Sequence, residues 1–313
     1  MVKKLHKPWI KLKEYIDASD YEAINGLQDL CHRVDQTALK LELDYKLEVY
    51  DGIGKGVEDN HEFMYFNGEE LIGYLGISSF GGSWEVNGMV APDYRRQGVF
   101  TKLFELVIAE WKRRDSGSML LLSDRNSESG QKFIAGVGGQ YKHSEYEMFL
   151  KKDAPAAAQY QLEGIVFRKA TNADAHEIAR QNAIYFNDEN EFSSENMILP
   201  EEEERRGVTS YLVEKEGQII GKVNLQLTSK LGAIFGLGLL PEHRRKGYGM
   251  TLLLMAIEKL REENAKEIML QVEADNSNAL NLYKSCGFDE TSTMDYFELK
   301  QEDKETVLVS EKL

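Results

Sequence analysis

The sequence predicts a mixed α/β fold built as two similar halves, and three observations carry that reading. A basic, glycine-containing turn occurs twice, as Pro92-Asp93-Tyr94-Arg95-Arg96-Gln97-Gly98 and as Pro241-Glu242-His243-Arg244-Arg245-Lys246-Gly247. The pairs Arg95/Arg244, Arg96/Arg245 and Gly98/Gly247 all keep a spacing of 149 residues. That is a domain-sized repeat, far above the roughly 20–50 residues of solenoid units. Each turn also follows a strand-like run and opens an amphipathic helix, the order expected of a mixed sheet flanked by helices. The 313 residues suit two domains of ordinary size. With 42% hydrophobic residues and 5 Pro, each half can bury a core.

The first half opens with helix-like sequence from Tyr21 to Leu47. Asp51-Gly52-Ile53-Gly54-Lys55-Gly56 looks like a phosphate loop, but neither Ser/Thr nor a clear helix follows, so a plain loop is expected. Two strand-like runs flank a turn at Asn67-Gly68, and Trp84 to Val90 follows a break at Gly81-Gly82. Val99, Leu103, Leu106, Val107 and Trp111 stand at helical spacing within Gly98 to Arg114. Met119 to Leu122 reads as a short buried strand, residues 127–135 as a helix, and Tyr141 to Leu150 as a closing strand. Lys151-Lys152-Asp153-Ala154-Pro155-Ala156-Ala157-Ala158 reads as a linker, which divides the chain into domains 1–152 and 163–313 joined by 153–162.

The second half repeats the order. Ile165 to Lys169 is strand-like, and Asn172 or Asp174 is placed to cap a helix through Ile178 to Ile184. Tyr211 to Val213 and Ile219 to Leu227 form a hairpin around Glu216-Gly217. Ala233 to Leu240 is a strand, Gly247 to Glu263 a helix, Ile268 to Val272 a strand, Ser277 to Ser285 a helix, and Met294 to Leu299 a closing strand.

A net charge of −15 argues against sequence-independent nucleic-acid binding, which needs cations facing phosphates. It suits a cationic or amine-bearing substrate, and equally solubility alone. The acidic run from Asn187 to Arg206 reads either as a lip for such a substrate or as a solvated segment. Cys31 and Cys286 form neither a disulfide framework nor a metal-spaced pair, so no metal is expected. The basic N-terminus lacks an apolar h-region, and no run approaches the ~18 apolar residues of a membrane span. A cytoplasmic protein without a membrane partner is expected.

The repeated turn has a physical use. The first N–H groups of a helix lack intrahelical partners, and the helix dipole adds about half a positive charge there. Gly247 and Gly249 allow close approach of a pyrophosphate, and Arg244, Arg245 and Lys246 add charge beside it. The loop lacks the Gly-Lys-Ser/Thr of a P-loop and the third glycine of a dinucleotide fingerprint.

Arg244-Arg245-Lys246-Gly247-Tyr248-Gly249 resembles the acetyl-CoA pyrophosphate loop of the GNAT superfamily of N-acetyltransferases, Gln/Arg-x-x-Gly-x-Gly/Ala. Downstream, Asn276-Ser277-Asn278-Ala279-Leu280-Asn281-Leu282-Tyr283-Lys284-Ser285-Cys286-Gly287-Phe288 is similar to its second motif, Asn-x-x-Ala-x-x-Leu-Tyr-x-x-x-Gly-Phe. The resemblance implies two GNAT-like domains and transfer of an acetyl group from acetyl-CoA to a primary amine of a small molecule or peptide by direct attack. It implies a cofactor set of Leu239, Leu240, Arg244, Arg245, Lys246, Gly247, Tyr248, Gly249, Met250, Asn276 and Asn278. By the same resemblance the Leu239 N–H would polarise the thioester carbonyl, and Tyr283 would protonate the departing thiolate. The strand Ala233 to Leu240 offers no base, which leaves Glu273, His243 or a water chain to take the amine proton.

The first half departs from the pattern. Val90, Arg95, Arg96, Gln97, Gly98 and Val99 stand where a cofactor would be held, but Phe100 replaces the second small residue. Asn126 aligns with Asn276, which sets Phe133, with no proton to give, opposite Tyr283. Glu85 is a potential base in this half. The second half is therefore expected to be the catalyst and the first to be degenerate. Catalysis in the first half, or acetyl-CoA binding without turnover, are the rival readings.

Overall fold

A computed structural model describes residues 2–48, 59–79, 83–114, 117–154, 162–186, 199–228 and 230–300. The loop at Asp51–Gly56, the Gly81-Gly82 break, part of the linker and residues 187–198 of the acidic run lie outside the described residues. In chain order the elements are β1 (Pro8–Lys13), α1 (Ala18–Asp35), α2 (Leu43–Glu48), β2 (Glu62–Asn67), β3 (Glu70–Ser78), β4 (Trp84–Val90), α3 (Val99–Arg114), β5 (Met119–Asp124), α4 (Glu128–Gly136) and β6 (Gln140–Leu150). They continue as β7 (Ile165–Lys169), α5 (Ala175–Phe186), α6 (Pro200–Arg205), β8 (Val208–Lys215), β9 (Gln218–Thr228), β10 (Leu231–Leu239), α7 (Tyr248–Glu262), β11 (Glu267–Glu273), α8 (Ser277–Ser285) and β12 (Phe288–Leu299). No helix among the described residues is long and apolar enough to cross a membrane.

The chain forms two compact units. One holds residues up to Glu145 together with those from Ser292, the other Tyr146–Thr291. The first unit's strands run in the order β1-β2-β3-β4-β5-β12, antiparallel except for the parallel pair β4/β5. Its last strand comes from the end of the described chain: Met294–Leu299 pairs with Asp124–Met119. The second unit repeats the pattern as β7-β8-β9-β10-β11, with β10/β11 parallel.

Each parallel pair needs a crossover, and α3 and α7 supply it. Their apolar stripes bury Leu103, Phe104, Val107 and Trp111 in the first unit and Leu252, Leu253, Ala256 and Leu260 in the second. Each large side chain so buried contributes about 1.5–3 kcal/mol. The hairpin at Glu216-Gly217 forms as the sequence implies, with both residues at positive φ (52° and 76°).

Two local expectations are corrected, and one strand is added. The helix read from Tyr21 to Leu47 is two helices, because Gln36 (φ 55°) and Glu42 (φ 54°) adopt left-handed backbone that no helix passes through. The strand β1 was not foreseen; it pairs at the sheet edge with β2, where a leading proline is tolerated. A 3-10 turn, Asn172–Asp174, leads into α5, and the cap of that turn is Thr171 rather than Asn172 or Asp174, with Asp174 accepting from the Thr171 N–H and hydroxyl.

Asp174 is also paired with Arg168 at 2.8 Å. That pairing, then the Thr171 bonds, hold its carboxyl down at about 2. Asp174→Ala should cost about 1–2 kcal/mol in denaturant unfolding near neutral pH. A depressed carboxyl stabilises above its unfolded pKa, so the difference from wild type should shrink as pH falls from about 4 towards 2. A difference independent of pH would contradict the ionic part of this account.

Candidate active site

The parallel pairing of β10 with β11 covers only Leu231–Ile234 against Glu267–Leu270, although β10 continues to Leu239 and β11 to Glu273. Beyond Ile234 the β10 edge facing β11 is released from the ladder. The Leu240 N–H donates to the Ile220 carbonyl on β9 at 2.9 Å. Strand alternation therefore turns the Leu239 N–H to the opposite edge, into the split. Between Phe235 and Gly238 the β10/β9 register shifts, so that Gly236 and Leu237 together face one β9 residue. Gly236 takes the positive φ (59°) that this bulge requires.

The loop that follows is fixed to the strand end. Arg244 donates from Nε to the Leu239 carbonyl at 2.9 Å. Arg245 and Gly247 both have positive φ (62° and 85°), which turns the chain into α7. Gly247 is the N-cap and makes no side-chain cap bond, so the N–H groups of Tyr248, Gly249 and Met250 have no intrahelical partner. Arg244, Arg245 and Lys246 are exposed beside them. A β-carbon on Gly247 would meet nothing closer than 3.7 Å, so the cradle is open, and its donors fit a pyrophosphate. Tyr248 contributes only backbone, because its ring is buried and its hydroxyl bonds Lys215 at 2.6 Å.

The second motif lies on α8. Asn276 caps this helix, its Oδ1 accepting from the Ala279 N–H at 3.1 Å, which leaves Nδ2 as the donor end. Arg245 donates from Nη1 to Asn278 Oδ1 at 2.9 Å, tying the anion cradle to the helix that carries Tyr283. Burial pushes the Tyr283 hydroxyl up to about 12, so it stays protonated at neutral pH. Glu273 is exposed at the end of β11, with its carbonyl accepting from the Asn276 N–H at 3.0 Å. His243 is half-buried, its ring 6.3 Å from that of Tyr248.

Two residues near the split were not singled out from sequence. The Tyr185 ring of α5 lies against Gly238, where a β-carbon would come within 2.3 Å of it. Its hydroxyl donates to Gln181 at 2.8 Å. Lys222 of β9, 1% exposed, lies beneath the bulge, 3.3 Å from where a Gly236 β-carbon would stand. A glycine inside a strand pattern signals such close approach, so Gly236 and Gly238 were the available clues.

The first unit shares the plan but not the details. Ala91 N–H bonds Ile72 as Leu240 bonds Ile220, and Arg95 Nε bonds the Val90 carbonyl at 2.9 Å as Arg244 bonds Leu239. Arg96 and Gly98 repeat the positive φ values (60° and 77°), and Val99 opens α3. Yet β4 runs in unbroken register with β3 and has no bulge. Asp35 clamps Arg95 with both carboxylate oxygens, and the Lys3 carbonyl takes the Gln97 side chain at 2.7 Å. Phe100, in place of Gly249, packs edge-on to Phe133 at 4.7 Å.

The alignment of Phe133 with Tyr283 is corrected by one residue. Ser127, not Asn126, caps α4, its Oγ accepting from the Gly130 N–H as Asn276 accepts from Ala279. The glycines that end the two helices, Gly138 (φ 85°) and Gly287 (φ 96°), keep the same 149-residue spacing. The residue matching Tyr283 is therefore Ile134, buried and equally without a proton to give.

The chain belongs to the Acetyltransferase (GNAT) family, whose sequence profile matches residues 24–133 and 174–288. An N-alpha-acetyltransferase of Sulfurisphaera tokodaii is 29% identical over 106 residues, which cover 30% of this chain and 64% of that protein. A mycothiol acetyltransferase of Thermobispora bispora is 26% identical over 240 residues, covering 72% and 79%. Among solved structures, a GCN5-related N-acetyltransferase of Sphaerobacter thermophilus shares the fold, with TM-score 0.71 and 18% identity over 93% of this chain and 95% of that one. A tandem GNAT protein from the clavulanic acid biosynthesis pathway does so with TM-score 0.66 and 14% identity over 94% and 98%.

Proposed function

We propose that the second unit is an N-acetyltransferase that moves the acetyl group of acetyl-CoA directly onto a primary amine of a small molecule or peptide. The observation that carries this reading is the Arg245–Asn278 bond, which joins the uncapped N-terminus of α7 to the helix bearing protonated Tyr283. Bound acetyl-CoA supplies a thioester whose acyl carbon an uncharged amine attacks.

The residues divide the work. The N–H groups of Tyr248, Gly249 and Met250, with Arg244, Arg245 and Lys246, hold the pyrophosphate. The released edge of β10, ending at Leu239, offers its backbone to the pantetheine arm as an added strand would, while the Leu240 N–H is committed to Ile220 on β9, and Asn276 Nδ2 donates to the same arm. The Leu239 N–H stabilises negative charge developing on the carbonyl oxygen. Tyr283 gives its proton to sulfur as the C–S bond breaks and the C–N bond forms. The amine loses its proton to Glu273, His243 or a water chain.

Thiol release with acetyl-CoA and a panel of primary amines tests this, together with the intact mass of the chain. Thiol should appear only with an amine, in equal amount to acetylated product, and the chain should carry no acetyl group. A kinetically competent acetylated chain would overturn direct attack. No release with any amine would favour binding without turnover.

A further inference from the structure

We propose that the first unit contains an ammonium-binding box on β4, β6 and β12, and that its occupant is the unit's own Lys40. Lys40 lies between α1 and α2. Its Nζ donates to Tyr296 Oη at 2.7 Å and to Glu145 Oε2 at 3.3 Å, and stands 3.4 Å from Glu85 Oε2. It also lies 5.3 Å from the centroid of the Tyr296 ring, which His143 stacks against at 4.3 Å. Carboxylates, a phenol oxygen and an aromatic ring are the groups that recognise an alkylammonium.

Two further observations separate this box from an ordinary buried ion pair. The first is the polar surroundings, which hold an unsatisfied acceptor and a further carboxyl. Asn87 donates from Nδ2 to the Lys40 carbonyl at 3.3 Å, while its Oδ1 is buried with no partner among the described residues. The side chain is only 5% exposed, so this acceptor beside the Lys40 main chain is withdrawn from bulk solvent. Glu42 adds a third carboxyl, whose ionisation burial opposes although the Lys40 charge favours it. Burial would equally lower Lys40, but Glu145, Glu85 and Glu42 more than offset it and raise it.

The second is position. The parallel pairing of β4 with β5 ends at Val86, so Asn87 is the first β4 residue beyond it. Phe235 holds that place on β10, one residue after pairing ends at Ile234. The box therefore borders the first unit's version of the split, with Glu85 in the paired stretch of β4 and Asn87 just past it. The inference goes beyond the function proposed for the second unit and does not depend on acetyl transfer there.

Lys40→Ala removes the propylammonium portion of the occupant and leaves the box empty. Its thermal midpoint should fall below wild type and recover with n-propylammonium, by about 3–6 °C at tenfold the dissociation constant. Sodium or tetramethylammonium at the same ionic strength should not restore it, and the Lys40→Ala/Glu85→Gln/Glu145→Gln chain should gain nothing from the amine. Equal recovery with sodium, or recovery without the two carboxylates, overturns the proposal.

If Lys40→Ala does not fold, an amine-selective acetylating reagent puts the question to chains that keep Lys40. The site should label at least about tenfold faster in Glu85→Gln/Glu145→Gln than in wild type, because losing the carboxylates frees more neutral amine. Equal labelling rates contradict the box.

Discussion

Tyr283→Phe is expected to lower kcat by about 10²- to 10⁴-fold, the range for loss of a positioned general acid. The substitution removes one oxygen and leaves the ring, which packs 6.2 Å from Phe288 in a buried site, so folding and acetyl-CoA affinity should change little. Because burial holds the wild-type hydroxyl at about 12, its proton is available throughout the neutral range. The ratio of wild-type to variant turnover should therefore stay flat between about pH 6 and 9, whatever the pH dependence of amine ionisation. Single-turnover thiol release checks both statements. Unchanged turnover would place the acid elsewhere, and a ratio that varies across this range would point to another titrating group.

Combining Arg244→Ala with Gly247→Asp should remove acetyl-CoA binding at the second unit. Gly247 is an N-cap at φ 85°, a conformation Asp tolerates better than most residues, so the helix should still form. Its carboxylate would then accept the N–H groups that otherwise face the pyrophosphate, and would repel it. Arg244→Ala additionally frees the Leu239 carbonyl that Arg244 holds at 2.9 Å. A loss of about 3 kcal/mol corresponds to a more than hundredfold rise in the dissociation constant. Calorimetric titration measures it, and retained affinity at full stoichiometry would remove the loop from the cofactor site.

The local elements were legible where backbone chemistry leaves a residue signature. Asn67-Gly68 and Glu216-Gly217 marked hairpins, and Gly247 marked the start of α7. What depends on partners distant in sequence was not legible. Met294–Leu299 was legible as a closing strand, but not its pairing with β5. The bulge at Gly236, the ring of Tyr185 over Gly238 and buried Lys222 each arise from close approach of separate strands and helices. The slip between Phe133 and Ile134 has a different cause. Matching Asn126 to Asn276 by residue type overlooked that a serine caps a helix as well as an asparagine does, and Ser127 is the actual cap.

The bulge also sharpens the comparison of the units. Ile234 corresponds to Val86, 148 residues on, whereas Leu239 corresponds to Val90, 149 residues on. The extra residue lies in the strand where the second unit is proposed to bind the thioester. The first unit lacks it, pairs Arg95 with Asp35, and has Ile134 in place of Tyr283.

Steady-state thiol release by Gly247→Asp and Gly98→Asp, each assayed with acetyl-CoA and a productive amine, tests the assignment of catalysis to the second unit most directly. Gly98→Asp should retain turnover close to wild type, and Gly247→Asp should lose it. Loss of activity in Gly98→Asp with activity kept in Gly247→Asp would place the chemistry in the first unit and contradict the account.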